Sequence, residues 1–315
     1  MTLPGDLGAA LDRYEARLYS RRRHGVAALR REWPHRRVRR AIEDDDLRPF
    51  DTAIREEDRT YAGEVGKAAI IGGSIALSWI GEDELDSLDE QTTRLIRDLR
   101  DEVRFALDDD ARAQIGRARF ASNADQAARD LIDTLGLTER QGIAVMNYRA
   151  QLIADAGTKF STSMSVRGQI AKQVTRYADK IARRRARTAA RLHALQALHL
   201  GMREGLRQAI AAGSFSAEQL RQVWQTRDDD KVRATHQTMH GQARAFGELF
   251  ETGAGIAIRY PGDPEAPLNE IINCRCVLAV EVLSAAQQVP QPSEATTLTV
   301  PIRVEIRGGF IPEAA

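Results

Sequence analysis

The chain has 315 residues, of which 43% are hydrophobic and 5% aromatic, which excludes a chain that is disordered throughout. Its formal net charge of +1 excludes a uniformly basic or acidic protein, and two cysteines do not make a disulfide framework. Abundant Ala, Leu and Arg favour helices, because these residues lose little conformational freedom in a helix.

The near-neutral total hides blocks of charge. Residues 1–40 hold eleven Arg against four acids, residues 41–58 hold eight acids against two Arg, and residues 165–191 hold nine Lys or Arg against Asp179 alone. Such blocks are typical of proteins that contact polyanions locally. No apolar leader opens the chain and the weakly polar run 68–81 is too short to span a bilayer, so we expect no membrane role.

Helical periodicity dominates the first two-thirds of the chain. Apolar residues recur every three or four positions over residues 7–18, 85–103, 143–153, 170–181 and 195–210. This spacing places them on one face of a helix. We therefore predict a helical N-terminal region over residues 1–213, which carries the basic blocks.

Two capping boxes mark predicted helix starts. Thr138 and Gln141 are three residues apart, as are Ser216 and Gln219. In this motif the first side chain caps the new helix and the second reaches back to the capping residue. A helix is therefore expected after Thr138, and a short one after Ser216.

Past Gly213 the composition shifts towards Gly, Pro and β-branched residues. Residues 255–260 alternate like a strand and meet a Pro-Gly-Asp-Pro turn, and residues 277–282 are typical of a buried strand. We predict an α+β fold class, in which the mostly helical N-terminal region is followed by a small α+β C-terminal domain over residues 214–284.

The remaining tail has a different composition. Residues 285–315 begin as a linker rich in Gln, Pro and Ser. Residues 298–306 are β-branched and predict one further strand, suited to pairing with the sheet edge of a neighbour.

Both cysteines fall within one four-residue stretch, Asn273 to Cys276. With His236 and His240 they provide two imidazoles and two thiolates, the ligand set of a structural zinc site. The two histidines are four residues apart, so on a helix both point the same way. The Cys-x-Cys spacing is tighter than usual for zinc, and it is also too tight for an unstrained disulfide. We expect no cofactor, with zinc at His236, His240, Cys274 and Cys276 as the alternative.

A buried polar network is the interpretation that we favour for the same stretch. Asn offers two donors and an acceptor, and Arg offers a rigid fork of donors. The cysteines would then be small buried hydrophobic residues. The network is predicted to consist of Asp229, Arg233, His236, Asn273 and Arg275, and losing His236 or Asn273 is expected to unfold the C-terminal domain.

Catalysis is a further alternative. His236 could act as a base and Cys274 as a nucleophile. However, the sequence has no Gly-x-Ser-x-Gly or His-Glu-x-x-His motif, and Gly63 and Gly66 are too close together for a phosphate-binding loop. We assign no catalytic residue and expect no enzyme activity.

A basic stripe follows from the spacing of seven residues in the block 165–191. They are Lys172, Arg176, Lys180, Arg183, Arg184, Arg187 and Arg191. Phosphate contact along such a stripe would be independent of sequence and sensitive to salt. A solvated helix face explains the stripe equally well, and the arginines of residues 1–40 are more simply explained by pairing with the adjacent acidic block.

The stretch from residue 229 to 276 resembles the phage Mu F-like minor head protein family, also called phage head morphogenesis or MuF-domain proteins. The residues that carry the resemblance are Asp229, Val232, Arg233, His236, Gly241, Pro261 to Pro264 and Asn273 to Cys276. Upstream, residues 185–193 fit that family's helical Arg-Ala-x-x-Ile-Ala-Arg-Thr-Glu element in part, with Leu192 and His193 in place of the Thr-Glu pair.

This resemblance implies a minor structural protein of the virion, assembled in the host cytoplasm during head morphogenesis and genome packaging. Its implied partners are the portal protein and other head proteins and, as in some members of the family, double-stranded DNA bound without sequence preference. Two alternatives stay open, a zinc- or thiol-dependent catalytic domain acting on nucleic acid and a prophage-borne adaptor that binds protein.

Overall fold

The structure is a computed structural model, and it describes residues 4–80 and 107–283. Its helices are α1 (Pro4–Glu32), α2 (His35–Glu43), α3 (Arg48–Ile80), α4 (Leu107–Arg119), α5 (Ala124–Thr134), α6 (Glu139–Ala156), α7 (Thr158–Thr162), α8 (Met164–Ala211), α9 (Ala234–Gln237) and α10 (Leu268–Ile271). Its strands are β1 (Leu220–Gln225), β2 (Ala243–Ala245), β3 (Phe250–Glu251), β4 (Ala257–Ile258) and β5 (Val277–Val282).

The predicted α+β class is confirmed, since long helices fill the first part and short antiparallel strands follow. The predicted helix over residues 85–103 and the predictions for the tail 285–315 lie outside the described residues.

Both capping boxes form. Thr138 Oγ1 accepts a hydrogen bond from the Gln141 N–H at 3.2 Å, and Gln141 Oε1 accepts one from the Thr138 N–H at 3.1 Å, so α6 begins where the sequence predicts. The box at Ser216 opens a single 3₁₀ turn, Ala217–Gln219, rather than an α-helix, because β1 begins directly after it.

Helices α3 and α8 pack at unusually short distance through glycines. A Cβ atom at Gly201 would lie 1.7 Å from the carbonyl oxygen of Ala69, and one at Gly72 would lie 2.1 Å from that of Leu198. The weakly polar run 68–81 is therefore largely a helix-packing surface. Within the described parts of the chain, none of the helices combines the length and apolar character needed to cross a bilayer.

Helix α1 runs antiparallel to α8. Glu15 accepts a bidentate pair from Arg191 at 2.7 and 2.8 Å, and Arg30 donates to Asp179 at 2.9 Å. The order of these contacts along the two helices sets their opposite directions, and it places the basic block of residues 1–40 beside that of residues 165–191.

Part of the N-terminal basic block pairs with the acidic block that follows it. Arg21 donates to Glu57 at 2.8 Å, and the buried Arg22 donates to Asp58 at 2.6 Å. The prediction that arginines of residues 1–40 pair with the acidic block of residues 41–58 is confirmed for Arg21 and Arg22. Both contacts join α1 to α3.

The sheet has the order β2-β1-β5 and is antiparallel throughout, with Trp224 of β1 opposite Leu278 of β5. Strand β5 matches the prediction over residues 277–282. The predicted strand 255–260 shortens to Ala257–Ile258, which pairs with β3, because Gly255 has φ +73° and belongs to the preceding turn.

The Pro-Gly-Asp-Pro motif forms the predicted turn and docks on α8. Gly262 has φ +86°, and a Cβ there would lie 3.0 Å from Leu195 Cδ2. The Asp263 carboxylate accepts from the Arg259 and Glu265 backbone N–H groups at 2.9 and 3.1 Å. These hydrogen bonds hold the turn in shape, and the close approach of Gly262 to Leu195 places it on α8.

A single hydrophobic core joins the two sides of residue 213. Gly213 ends α8 with φ +81°, as its position after the last apolar repeat predicts. The main core nevertheless contains Leu198 and Met202 of α8 together with Trp224 and Leu278 of the sheet. The hydrophobic core therefore extends across residue 213, where the composition of the chain changes.

Candidate functional site

The two cysteines and His236 converge on one buried point. Nδ1 of His236 lies 3.6 Å from Sγ of Cys274 and 3.6 Å from Sγ of Cys276. All three side chains are buried, and their ligand atoms lie within 4.8 Å of one another. His236 comes from the short helix α9, and the cysteines come from the segment that leads into β5.

Asn273 shapes this segment through its backbone. It has φ +57°, the left-handed conformation that Asn tolerates better than most residues. The bend precedes Cys274, whose N–H donates to the Ile271 carbonyl at 3.1 Å. The Asn273 side chain is exposed, and no hydrogen bond of its amide is found within the described chain. Its predicted place in a buried side-chain network is therefore corrected to a role in the backbone.

Glu270 lies behind His236 and is not among the site residues predicted from the sequence. Its Oε2 atom lies 3.2 Å from His236 Nε2, which is within ion-pair distance. The angle between the two groups does not allow a hydrogen bond. Thr235 Oγ1 donates to the same oxygen at 3.0 Å, and Asn269 Nδ2 donates to Oε1 at 3.3 Å. The signal in the sequence is a lone acid next to the apolar residues Ile271 and Ile272.

The predicted polar network divides into separate contacts. Arg275 forms an ion pair with Asp229, and its guanidinium, through a hydrogen bond, lowers the pKa of that carboxyl. Arg233 donates to the backbone carbonyls of Glu270 and Ile272. The two arginines thus fasten the loop before α9 to the cysteine segment, while His236 faces the thiols.

His240 does not join the cluster, which corrects the predicted four-ligand set. Helix α9 ends at Gln237, so the i, i+4 argument does not apply across the turn that follows. His240 is exposed instead, and its Nδ1 accepts from the Thr226 N–H at 3.1 Å.

The two thiols differ in acidity. A hydrogen bond from Cys276 and another from His236 lower the pKa of Cys274, against the opposing effect of burial. The pKa of Cys276 is raised by its hydrogen bond to Cys274 and by burial. The cleft beside them has a volume of about 20 Å³, which accommodates one water molecule and excludes a nucleotide.

The basic stripe lies on α8 and is mostly exposed. The exposed members are Lys172, Arg176, Lys180, Arg183, Arg184 and Arg187. Arg187 also stacks over Tyr19, with its Cζ atom 5.2 Å from the ring centroid. Arg191 leaves the stripe, because Glu15 of α1 holds it in a bidentate ion pair and it is half-buried.

A cleft that was not predicted from the sequence lies between α1 and α8. Its volume is about 360 Å³. Its lining contains one acid, Asp179, and six arginines, namely Arg22, Arg23, Arg30, Arg31, Arg183 and Arg185. The antiparallel packing of α1 on α8 thus brings two basic blocks that are far apart in sequence to one place.

The segment that holds this site matches a known protein family. No curated protein and no solved structure matches the chain. Residues 165–279 match the family model described as Phage Mu protein F like protein. The match begins in the first turn of α8, includes His236 and both cysteines, and ends within β5. The resemblance seen in the motifs is therefore confirmed, and residues 165–279 form a Phage Mu protein F-like region.

Proposed function

We propose that this protein is a structural protein of phage head morphogenesis, a minor component of the virion that docks on the portal and on other head proteins. The Phage Mu protein F-like match over residues 165–279 carries the proposal. The matched segment includes nearly all of α8, the strands β1 to β4 and the first half of β5, so it supplies both the long helix and most of the sheet that packs on it.

Purified particles test this proposal. In the phage or prophage that encodes the chain, we expect the protein to sediment with heads in few copies, and we expect deletion of its gene to yield defective heads. Co-expression with the portal protein of the same phage should give a complex that survives gel filtration. Absence from particles, together with normal heads after deletion, would overturn the proposal and favour the adaptor that binds protein.

We propose further that the basic face of α8 contacts packaged double-stranded DNA through its phosphates. Its support is the exposure of the stripe members from Lys172 to Arg187. Within the described chain, Lys172, Arg176, Lys180, Arg183 and Arg184 form no ion pair with an acid. Exposed, uncompensated cations attract phosphate by releasing the counterions that surround DNA.

The cleft between α1 and α8 extends this basic face. Arg183 belongs both to the stripe and to the lining of the cleft. Arg22 and Arg30 already pair with acids, whereas the exposed Arg23, Arg31 and Arg183 form no ion pair within the described chain. Arg Nε and Nη groups bind phosphate oxygens through charge-assisted hydrogen bonds. A volume of about 360 Å³ admits a phosphate group of a DNA backbone that lies along α8.

Binding measured against salt tests this contact. Duplexes of unrelated sequence should bind with similar affinity, and binding should weaken as salt rises. The double variant Lys180→Gln with Arg183→Gln removes two exposed cations, so the slope of log K against log salt should become shallower by about 2. The matched control is Arg59→Gln with Arg140→Gln, two exposed arginines outside the stripe. Equal loss in both double variants, or binding that salt does not weaken, would contradict the proposal.

A further inference from the structure

The distances around His236 match a metal site. A tetrahedral zinc has bonds of about 2.0 Å to nitrogen and about 2.3 Å to sulfur, which places nitrogen and sulfur about 3.5 Å apart. Nδ1 of His236 lies 3.6 Å from the sulfur of Cys274 and 3.6 Å from that of Cys276. Both nitrogen–sulfur distances therefore agree with the binding of one zinc ion.

The backbone explains why a Cys-x-Cys pair can reach one ion. Asn273 bends the chain with φ +57°, and the chain then runs on into β5. Side chains alternate along extended chain, so Cys274 and Cys276 face inward while Arg275 faces Asp229. The bend and the alternation bring both thiols to His236.

The second ring nitrogen of His236 faces a carboxylate, the kind of group that commonly lies behind a metal-bound histidine. The Glu270 carboxylate lies 3.2 Å from Nε2 and is itself held by Thr235 and Asn269. A carboxylate at this place fixes the ring and favours binding of metal through the opposite nitrogen. Glu270 is buried, and within the described chain no Lys or Arg bonds to its carboxylate oxygens. A cation on the far side of the imidazole would therefore stabilise its negative charge.

We propose that His236, Cys274 and Cys276 hold one zinc ion, with water as the fourth ligand. Among the described residues, no fourth His, Cys, Asp or Glu joins the cluster. The cleft of about 20 Å³ next to the thiols has room for that water. Two thiols and an imidazole select zinc over magnesium or calcium. Zinc binds cysteine as the thiolate, so each ligand thiol that is still protonated releases its proton to solvent.

This site is independent of the head-protein proposal and concerns folding. The ion would join α9 to the segment before β5, so that the metal fastens the α+β part of the Phage Mu protein F-like region. Removal of the ion should therefore lower the melting temperature of the protein. This effect does not depend on any catalytic activity.

Metal analysis of the full chain tests the site. The protein should be purified under reducing conditions without a histidine tag, and we expect about one zinc per chain. Cys276→Ser should lose the metal, whereas His240→Asn should keep it. Less than about a tenth of a zinc per chain, both as purified and after addition of zinc to reduced, folded protein, would overturn the proposal. Loss of zinc in His240→Asn would overturn the three-ligand set in favour of four protein ligands.

Cobalt substitution keeps the test valid where a variant fails to fold. Apo-protein of the unaltered chain, reloaded with Co²⁺, should show sulfur-to-metal charge-transfer bands and the intense visible bands of tetrahedral cobalt. Weak bands typical of octahedral cobalt would contradict thiolate ligation. Glu270→Gln should retain the spectrum but weaken zinc affinity by about 10- to 100-fold, and an unchanged affinity would overturn the role of Glu270.

Discussion

His199 joins the long helix to the sheet through both of its ring nitrogens. Nδ1 lies 2.8 Å from the Leu195 carbonyl oxygen, to which it must donate, and Nε2 accepts from the Leu278 N–H at 3.2 Å. These partners require the neutral ring, because protonation would turn Nε2 into a donor facing a donor. Burial lowers the pKa of His199 to about 4.

The stability of the protein should therefore fall in acid. Because the pKa of His199 is about 4 in the fold and about 6.5 when unfolded, the unfolded chain binds more protons between these values. The contribution of His199 is complete above pH 6.5 and is lost as the pH falls to 4, a change of about 3 kcal/mol. His193, whose pKa burial lowers to about 3, acts in the same direction.

Urea unfolding at pH 7 and pH 4 measures this effect. His199→Gln should be less stable than the unaltered chain at pH 7, but its stability should decrease less between the two pH values. An equal decrease in both proteins would show that His199 does not titrate as its surroundings require.

Asn273 provides a second prediction at the scale of one residue. The left-handed backbone costs a β-branched residue about 1–2 kcal/mol, whereas Gly adopts it freely. Asn273→Val should therefore lower the free energy of unfolding by about that amount, and Asn273→Gly should change it little. A Gly variant as unstable as the Val variant would show instead that the amide side chain matters.

At the scale of elements, α8 is longer than its periodicity indicates. The predicted segments 170–181 and 195–210 are parts of one helix of 48 residues. The residues between them are mostly Arg and Ala, which favour helix and contain no Pro or Gly to end it. The apolar periodicity is interrupted between the two segments because the surroundings of the helix change there. Its first part is half exposed, and its second part is buried on almost every side.

The glycines of α8 give a prediction about the contact between helices. Gly201→Ala should lower the free energy of unfolding, because its Cβ would lie 1.7 Å from the Ala69 carbonyl oxygen and force α3 and α8 apart. We expect a loss of about 1–3 kcal/mol, the range for overpacking.

Gly168→Ala is the matched control in the same helix. Gly168 is exposed, and a Cβ atom there would have no other atom within 4 Å, so Ala should stabilise the helix by about 0.5–1 kcal/mol. Thermal unfolding of the two variants should therefore shift in opposite directions, and a destabilised Gly168→Ala together with a neutral Gly201→Ala would contradict the close packing.

At the scale of the whole molecule, the small α+β unit depends on the long helices. Its strands bury Trp224 and Leu278 against Leu198 and Met202 in one core. Residues 214–284 expressed alone should therefore lack a cooperative unfolding transition, because the apolar face of the sheet would be exposed. Calorimetry and near-ultraviolet circular dichroism check this, with the full chain as the control, and a sharp transition in the fragment would contradict it.

The sequence by itself determined the helical character of residues 7–18, 143–153, 170–181 and 195–210, the capping boxes, the turn at Pro261 to Pro264 and the Phage Mu protein F-like motif. These depend on local spacing and on residue types, which the chain carries without reference to its fold. The convergence of His236 with both thiols was also within reach, since the three residues share one motif.

Only the tertiary structure decided which of these residues meet. His240 was separated from the cluster by a turn, and Glu270 was added to it by the approach of α10 to α9. The antiparallel packing of α1 on α8 took Arg191 out of the stripe and brought two basic blocks to one cleft. Contacts between residues far apart in sequence depend on how helices and strands pack, and no local pattern in the chain specifies that packing.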